Sequence, residues 1–87
     1  MPRYHFNIDD GKSSPDSEGR ELENLQVAKC EAIKLAGREI CEVAGEFWDR
    51  SEWSMAVTND QGLTLFTLLI VATEAPAIQI APTPRQT

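Results

Sequence analysis

Few residues in this chain could do chemistry, and their spacing decides what that chemistry would be. His5 is the single histidine. It has no second imidazole with which to hold a metal and no serine nearby in sequence to activate, so it is expected at the surface or in an interface. Were an interface to bury it, its charge would make assembly sensitive to pH near about 6.5. Asp9, Asp10, Asp16 and Glu18 then gather carboxylates around a turn, the oxygen-rich setting that hard cations prefer. The EF-hand pattern fails, however. With Gly11 set at the loop glycine, Phe6 and Ile8 take ligand positions and Ser17 stands where a bidentate glutamate belongs. Two expectations follow. The sharper is a weak, non-standard metal or small-ligand site formed by His5, Asp9, Asp10, Asp16 and Glu18. The plainer is a solvated turn whose aspartates bond their own backbone. Gly11-Lys12-Ser13 ends like a phosphate-binding loop, but Phe6 stands where the first glycine must be and no helix is expected to start at Ser13.

Cys30 and Cys41 are the only thiols. On one helix they lie roughly 16 Å apart along the axis at about 1.5 Å per residue, too far for an intrachain disulfide, which needs Cα atoms within about 7 Å. They fall side by side at the edge of the helix's apolar arc, near Trp48. The plain reading is two small hydrophobes at a boundary. The sharper one is a seam where two copies of the helix meet. Neither has a basic neighbour to lower its pKa strongly, and nucleophilic catalysis would need His5 beside one of them. No acid–base pair and no complete ligand set is visible, so no catalytic residue, cofactor site or metal site is assigned.

The element expected to position these groups is a helix from about Leu25 to Trp48. Its apolar residues (Leu25, Ala28, Ala32, Leu35, Ala36, Ile40, Val43, Ala44 and Phe47) fall in one arc at about 100° per residue, with Glu31, Lys34, Arg38, Glu42 and Glu46 mostly opposite. Asn24 is suited to cap its start, and Gly45 weakens its last turn. Ahead of it, Arg3–Ile8 alternates with Tyr4, Phe6 and Ile8 on one face, as a half-buried strand does. Asp9-Asp10-Gly11-Lys12 carries a turn signal. Pro15 interrupts the polar stretch Ser13–Gly19, and Arg20-Glu21-Leu22 reads as a short returning strand. After the helix, Trp53–Thr58 alternates with Trp53, Met55 and Val57 inward. Asn59-Asp60-Gln61-Gly62 turns the chain, and Leu63–Val71 reads as the longest strand, much of it buried. The layout is α+β: an antiparallel β-β-α-β-β sheet with one amphipathic helix on one face. Residues 1–71 form the expected single domain. Residues 72–87 read as a proline-containing tail, disordered over 82–87, in which Ala77-Ile78-Gln79-Ile80-Ala81 alternates and could supply an edge strand to this chain or to a partner.

Composition narrows the classes further. Eighty-seven residues close only a small core, and such cores seldom supply more than about 3–5 kcal/mol, so a homodimer or a protein partner is expected. A net charge of −6, with eight scattered basic residues, argues against nucleic-acid binding. The N-terminal residues lead into an alternating strand with no apolar signal region. The most apolar run, Leu63–Ala72, is about half the length that crosses a bilayer. Reduced thiols and a cytoplasmic location fit, with no membrane association.

Met1-Pro2-Arg3-Tyr4-His5-Phe6, then Asp10-Gly11, then Asp16-Ser17-Glu18-Gly19-Arg20-Glu21-Leu22, an alanine-rich helix, Trp53-Ser54-Met55-Ala56-Val57 and Asp60-x-Gly62-x-x-Leu65 stand in an order and spacing that resemble a known family. It is a group of small bacterial proteins classed as a domain of unknown function, typically opening M-P-R-Y-x-F. The resemblance covers about residues 1–70. Glu23 and Asn24 stand where the family usually has a proline. It implies a fold and no mechanism. Strand, D-G turn, strand and a helix rich in Glu and Ala is also similar to the antitoxin half of toxin–antitoxin pairs, an analogy of pattern alone.

The sequence therefore leads to a non-enzymatic domain acting by self-association or by binding a protein partner. Its expected surfaces are the helix edge with Cys30, Cys41 and the half-exposed Trp48, and the free sheet edges, with Ile78 and Ile80 as further interface residues. The alternatives are an antitoxin-like regulator that binds a basic protein through its acidic surface, and a weak metal or small-ligand binder.

Overall fold

The computed structural model describes residues 1–75. Five strands and two helices follow in the order β1 (Arg3–Asp9), β2 (Ser13–Ser14), β3 (Arg20–Glu21), α1 (Leu25–Glu42), α2 (Ala44–Arg50), β4 (Glu52–Thr58) and β5 (Thr64–Val71). The strands form one antiparallel sheet in the order β2-β1-β4-β5, with β3 beside β2 along the outer edge of β1. This is the α+β architecture that the periodicity predicts. The expected short strand at Arg20-Glu21-Leu22 is present as β3, a two-residue strand β2 forms within the stretch expected to stay irregular, and the expected single helix is split at Val43. The segment 77–81 lies outside the described residues.

Register follows from the alternation of side chains. Phe6 faces Val57 and Ile8 faces Met55 across β1 and β4, and Trp53, Met55 and Val57 face Ile70, Leu68 and Phe66 across β4 and β5. One face of the sheet is thereby apolar. Against it α1 lays Ala28, Ala32 and Ala36, each with almost no exposed surface. Tyr4, Phe6, Phe47, Trp53, Met55 and Val57 complete the buried core. Four-residue spacing keeps the three alanines in line, and their lack of bulk lets the helix backbone settle onto β4.

Asn24 caps α1 as expected, its side chain accepting from the backbone N–H of Val27 at 3.0 Å. The helix does not run through to Trp48. Val43 leaves the helical region (φ −119°, ψ 38°), two residues before the weakening Gly45, and α2 begins afresh at Ala44. The restart still buries Phe47. It ends at Ser51, whose φ of 65° is the left-handed conformation usual at helix C-termini.

β5 departs from expectation more sharply. None of its eight residues is buried. Leu65, Phe66, Leu68 and Ile70 are half-covered by the core, while Leu69 and Val71 are exposed on the open face. An apolar strand reads the same whether it is central or at an edge. Here it lies at the edge, beyond the strand that α1 packs on. No helix among the described residues is long and apolar enough to cross a membrane.

The alanine stripe yields a direct expectation. Ala32→Leu adds three carbons where no surface is exposed, so it lifts α1 from the sheet and costs about 1–3 kcal/mol. Urea denaturation of the two proteins measures it; equal midpoints would show that the helix does not need the close approach.

Candidate functional site

Chemistry-bearing residues gather in one place, on the outer side of β1. Ser14 ends β2 and Arg20 opens β3, so His5, Phe6 and Asn7 have no strand beside them on that edge. The bulge between the two short strands answers each of them through one residue. Asp16 Oδ2 accepts the backbone N–H of Phe6 at 3.1 Å, and the Asp16 backbone N–H donates to Asn7 Oδ1 at 2.8 Å. The Asp16 carbonyl accepts from His5 Nδ1 at 2.8 Å. Its other carboxylate oxygen accepts the backbone N–H groups of Glu18 (3.3 Å) and Gly19 (3.1 Å), which closes the bulge.

Gly19 is required at the far end. Its φ is +71°, and a Cβ there would lie 2.9 Å from both His5 Cε1 and the Tyr4 carbonyl oxygen. Asn7 carries the connection across β1, its Nδ2 donating to the Ala56 carbonyl at 3.0 Å. His5 carries it further. Its Nε2 meets Asp60 Oδ1 at 2.9 Å, which joins β1 to the turn between β4 and β5. Arg3 closes the open face with Nη1 donating to the Glu18 carbonyl at 2.8 Å and Nη2 paired with Glu21 at 3.1 Å. On the helix side Arg20 sits 5.6 Å from the Phe6 ring centre and pairs with Glu31 of α1 at 3.0 Å.

The electrostatics follow from these partners. With Nδ1–H given to the Asp16 carbonyl, a neutral imidazole would turn its Nε2 lone pair toward the Asp60 carboxylate. The protonated ring donates from both nitrogens. The bond to Asp60 first, and then that to the Asp16 carbonyl, raises the His5 pKa above its ordinary 6.5, against a smaller opposing effect of desolvation. For Asp16, partial burial pushes upward, but the backbone N–H donors of Gly19, Phe6 and Glu18, with the charge of His5, outweigh it and hold the carboxyl below 3.8.

Of the five polar residues singled out from the sequence, the structure brings together His5 and Asp16. Asp9 and Asp10 turn inward on their own loop, accepting the backbone N–H groups of Gly11 (3.2 Å) and Lys12 (3.3 Å), as Asx turns do. Glu18 contributes its backbone. Among the described residues no three His, Cys, Asp or Glu side chains converge as metal ligands. Asp60, Asn7 and Arg3 complete the cluster and were not singled out. Asp60 is 55 residues from His5, and only the pairing of β1 with β4 brings them together.

The sequence-predicted interface residues stand apart from this cluster. Cys30 and Cys41 are free and exposed. Cys30 is two residues from both Ala28 and Ala32, about 200° around the helix at about 100° per residue. It therefore lies on the outer face of α1 rather than at the edge of the arc facing the core. Trp48 is 47 % exposed and meets Phe47 edge-on at 5.8 Å between ring centres. Ile78 and Ile80 lie outside the described residues. Beside β5, at one of the sheet edges expected to be free, Lys29, Ala32, Ile33, Phe66, Thr67 and Leu68 line an apolar groove between α1 and the strand. Ile33 stands 63 % exposed at its rim.

Two expectations come from the cluster. Asp16→Ala strips acceptors from three backbone N–H groups, at about 1–3 kcal/mol for each one left buried and unpaired. The result is a marked fall in denaturation midpoint and loss of amide protection at Phe6. Retained protection at Phe6 would contradict the assigned bond. The pH dependence has two sides. The contribution of His5, whose pKa is raised, is complete below 6.5 and disappears as pH climbs through the raised value. That of Asp16, whose pKa is lowered, is complete above 3.8 and disappears as pH falls through the lowered value. Stability from the cluster is therefore fullest between them. Since His5 is the only histidine, its proton resonances report the midpoint directly. The midpoint should lie above 6.5 and move down in Asp60→Asn; an unmoved midpoint removes Asp60 as the cause.

The chain belongs to the family described as domain of unknown function DUF6894, whose model matches residues 3–71. No curated protein and no solved structure matches it.

Proposed function

We propose that this chain is a non-enzymatic protein-interaction domain whose working surface is the free edge of β5 with the apolar flank of α1 beside it. One observation carries the reading. Among the described residues β5 pairs only with β4, and its eight residues include no charge, no proline and no glycine. Soluble proteins usually blunt such an edge with charge, proline or a covering segment, because its row of unpaired N–H and C=O groups accepts another strand. Leu69 and Val71 add apolar surface on the open face, and Ile33 adds it on the helix side.

The chemistry-bearing cluster supports the non-enzymatic half of the proposal. His5 has both ring nitrogens occupied, and Asp16 is bonded on both carboxylate oxygens. Residues so engaged hold a fold together and have little left to offer a substrate. Net charge speaks against a phosphate backbone as the partner. The surface thiols of Cys30 and Cys41, free and too far apart to bond each other, suit a reducing compartment such as the cytoplasm.

Site-specific cross-linking in cells tests the reading. A photoreactive residue at Thr67, exposed on β5, should yield a protein adduct, while one at Lys34, exposed on α1 outside the groove, should not. Absence of any adduct from Thr67, or equal adducts from both positions, would sink the β5 edge as the working surface.

A further inference from the structure

From the charge pattern around β5 we infer that its partner is a second copy of this chain, joined by antiparallel β5–β5 pairing that extends the sheet across a two-fold axis. The inference rests on the β5 reading above and names the partner. Two copies, each with fourteen carboxylates against eight basic side chains, repel over most of their surfaces. The β5 face is where they do not. None of the eight strand residues is charged, so no like charges are opposed in any register. The groove beside the strand contains no carboxylate. Its one charged residue is Lys29.

The geometry suits self-pairing. In a two-fold arrangement one surface meets itself, and an antiparallel strand pair satisfies this with backbone bonds alone, whatever its side chains. Eight residues at about 3.4 Å each give roughly 27 Å of edge. Stable interfaces bury a total of about 1,200 Å² or more, which a strand pair by itself does not reach. The groove supplies the remainder. Extending the sheet brings the two α1 helices alongside each other on its covered face, with Ile33 of each copy over the half-covered Phe66 and Leu68. The outer edge of β1 offers no equivalent, since β2, β3 and the Asp16 bulge already occupy it.

Light scattering after size exclusion, in reducing buffer from about 1 to about 100 µM, tests the assignment on the full chain. The expected result is a dimer that weakens at least about tenfold in Ile33→Glu and in Thr67→Lys. Lys34→Glu, outside the groove, should leave it intact. Ile33 and Thr67 are both exposed, so the two variants should keep the fold, and circular dichroism confirms that they do. A monomer at every concentration overturns the inference, whether Thr67 then cross-links to another protein or within its own chain. A dimer indifferent to both substitutions overturns it equally and moves the interface elsewhere, to the outer face of α1 for example. An adduct at Thr67 with a different protein defeats the second-copy inference and leaves the β5 reading standing; no dimer and no adduct defeats both.

Discussion

Between Ser14 and Arg20 the outer edge of β1 loses its neighbouring strand for three residues, and a β-strand does not tolerate that without finding other partners for its polar groups. Asp16 supplies them from one position. Its carboxylate takes the place of a ladder acceptor for Phe6, its N–H meets Asn7, and its carbonyl meets His5. Two strands of two residues each would be too short to hold by themselves. Anchored at Asp16, they flank β1 and bring Arg20 over Phe6 and onto Glu31 of α1. The edge of the core and one side of the helix therefore depend on a single residue, through its side chain and its backbone together. Against the upward push of partial burial, its carboxyl is held below its ordinary pKa by the backbone N–H groups of Gly19, Phe6 and Glu18 and by the charge of His5.

That arrangement also shows what the cluster does for the fold. A histidine between two aspartates invites a catalytic reading, yet each member here bonds structure to structure. His5 ties the bulge to the β4–β5 turn, Asn7 ties the bulge to β4, and Arg3 ties the bulge to β3. The residues on which the family resemblance was read, Asp16 through Leu22 above all, turn out to build the bulge and its anchors, and Gly19 is required there by its backbone angle and by the lack of room for a Cβ beside His5. A motif can be specific because a backbone path demands it.

What the sequence revealed, and what it hid, divides along physical lines. Alternation in Arg3–Ile8 and Trp53–Thr58 and the three alanines at four-residue spacing located the core, because burial acts residue by residue with a fixed period. The cap at Asn24 and the turn at Gly11 were legible because their chemistry is local. The His5–Asp60 pair was not, since it exists only through the register of β1 on β4. The break at Val43 left one weak sign, Gly45, because a helix that restarts in phase keeps its apolar periodicity. β5 was misjudged for a related reason: hydrophobic content reports that a strand should be covered, not that something in the same chain covers it.

The exposure of β5 follows from widths. Strands lie about 4.8 Å apart and a helix with its side chains is about 10 Å across, so one helix covers about two strands well. This sheet is four strands wide, counting β2 and β3 as one edge. With α1 seated by its alanines on β4, the β1 side is completed by Arg20, Glu31 and Leu22, which leaves the deficit on the β5 side. Longer side chains in place of Ala28, Ala32 and Ala36 would spread the helix over more of the sheet, but only by lifting it from Met55 and Val57. Close packing over the centre and an uncovered apolar edge are thus two results of the same choice of small residues, and among the described residues no further helix covers β5. A second copy pairing along β5 would add another helix at the place where the first falls short.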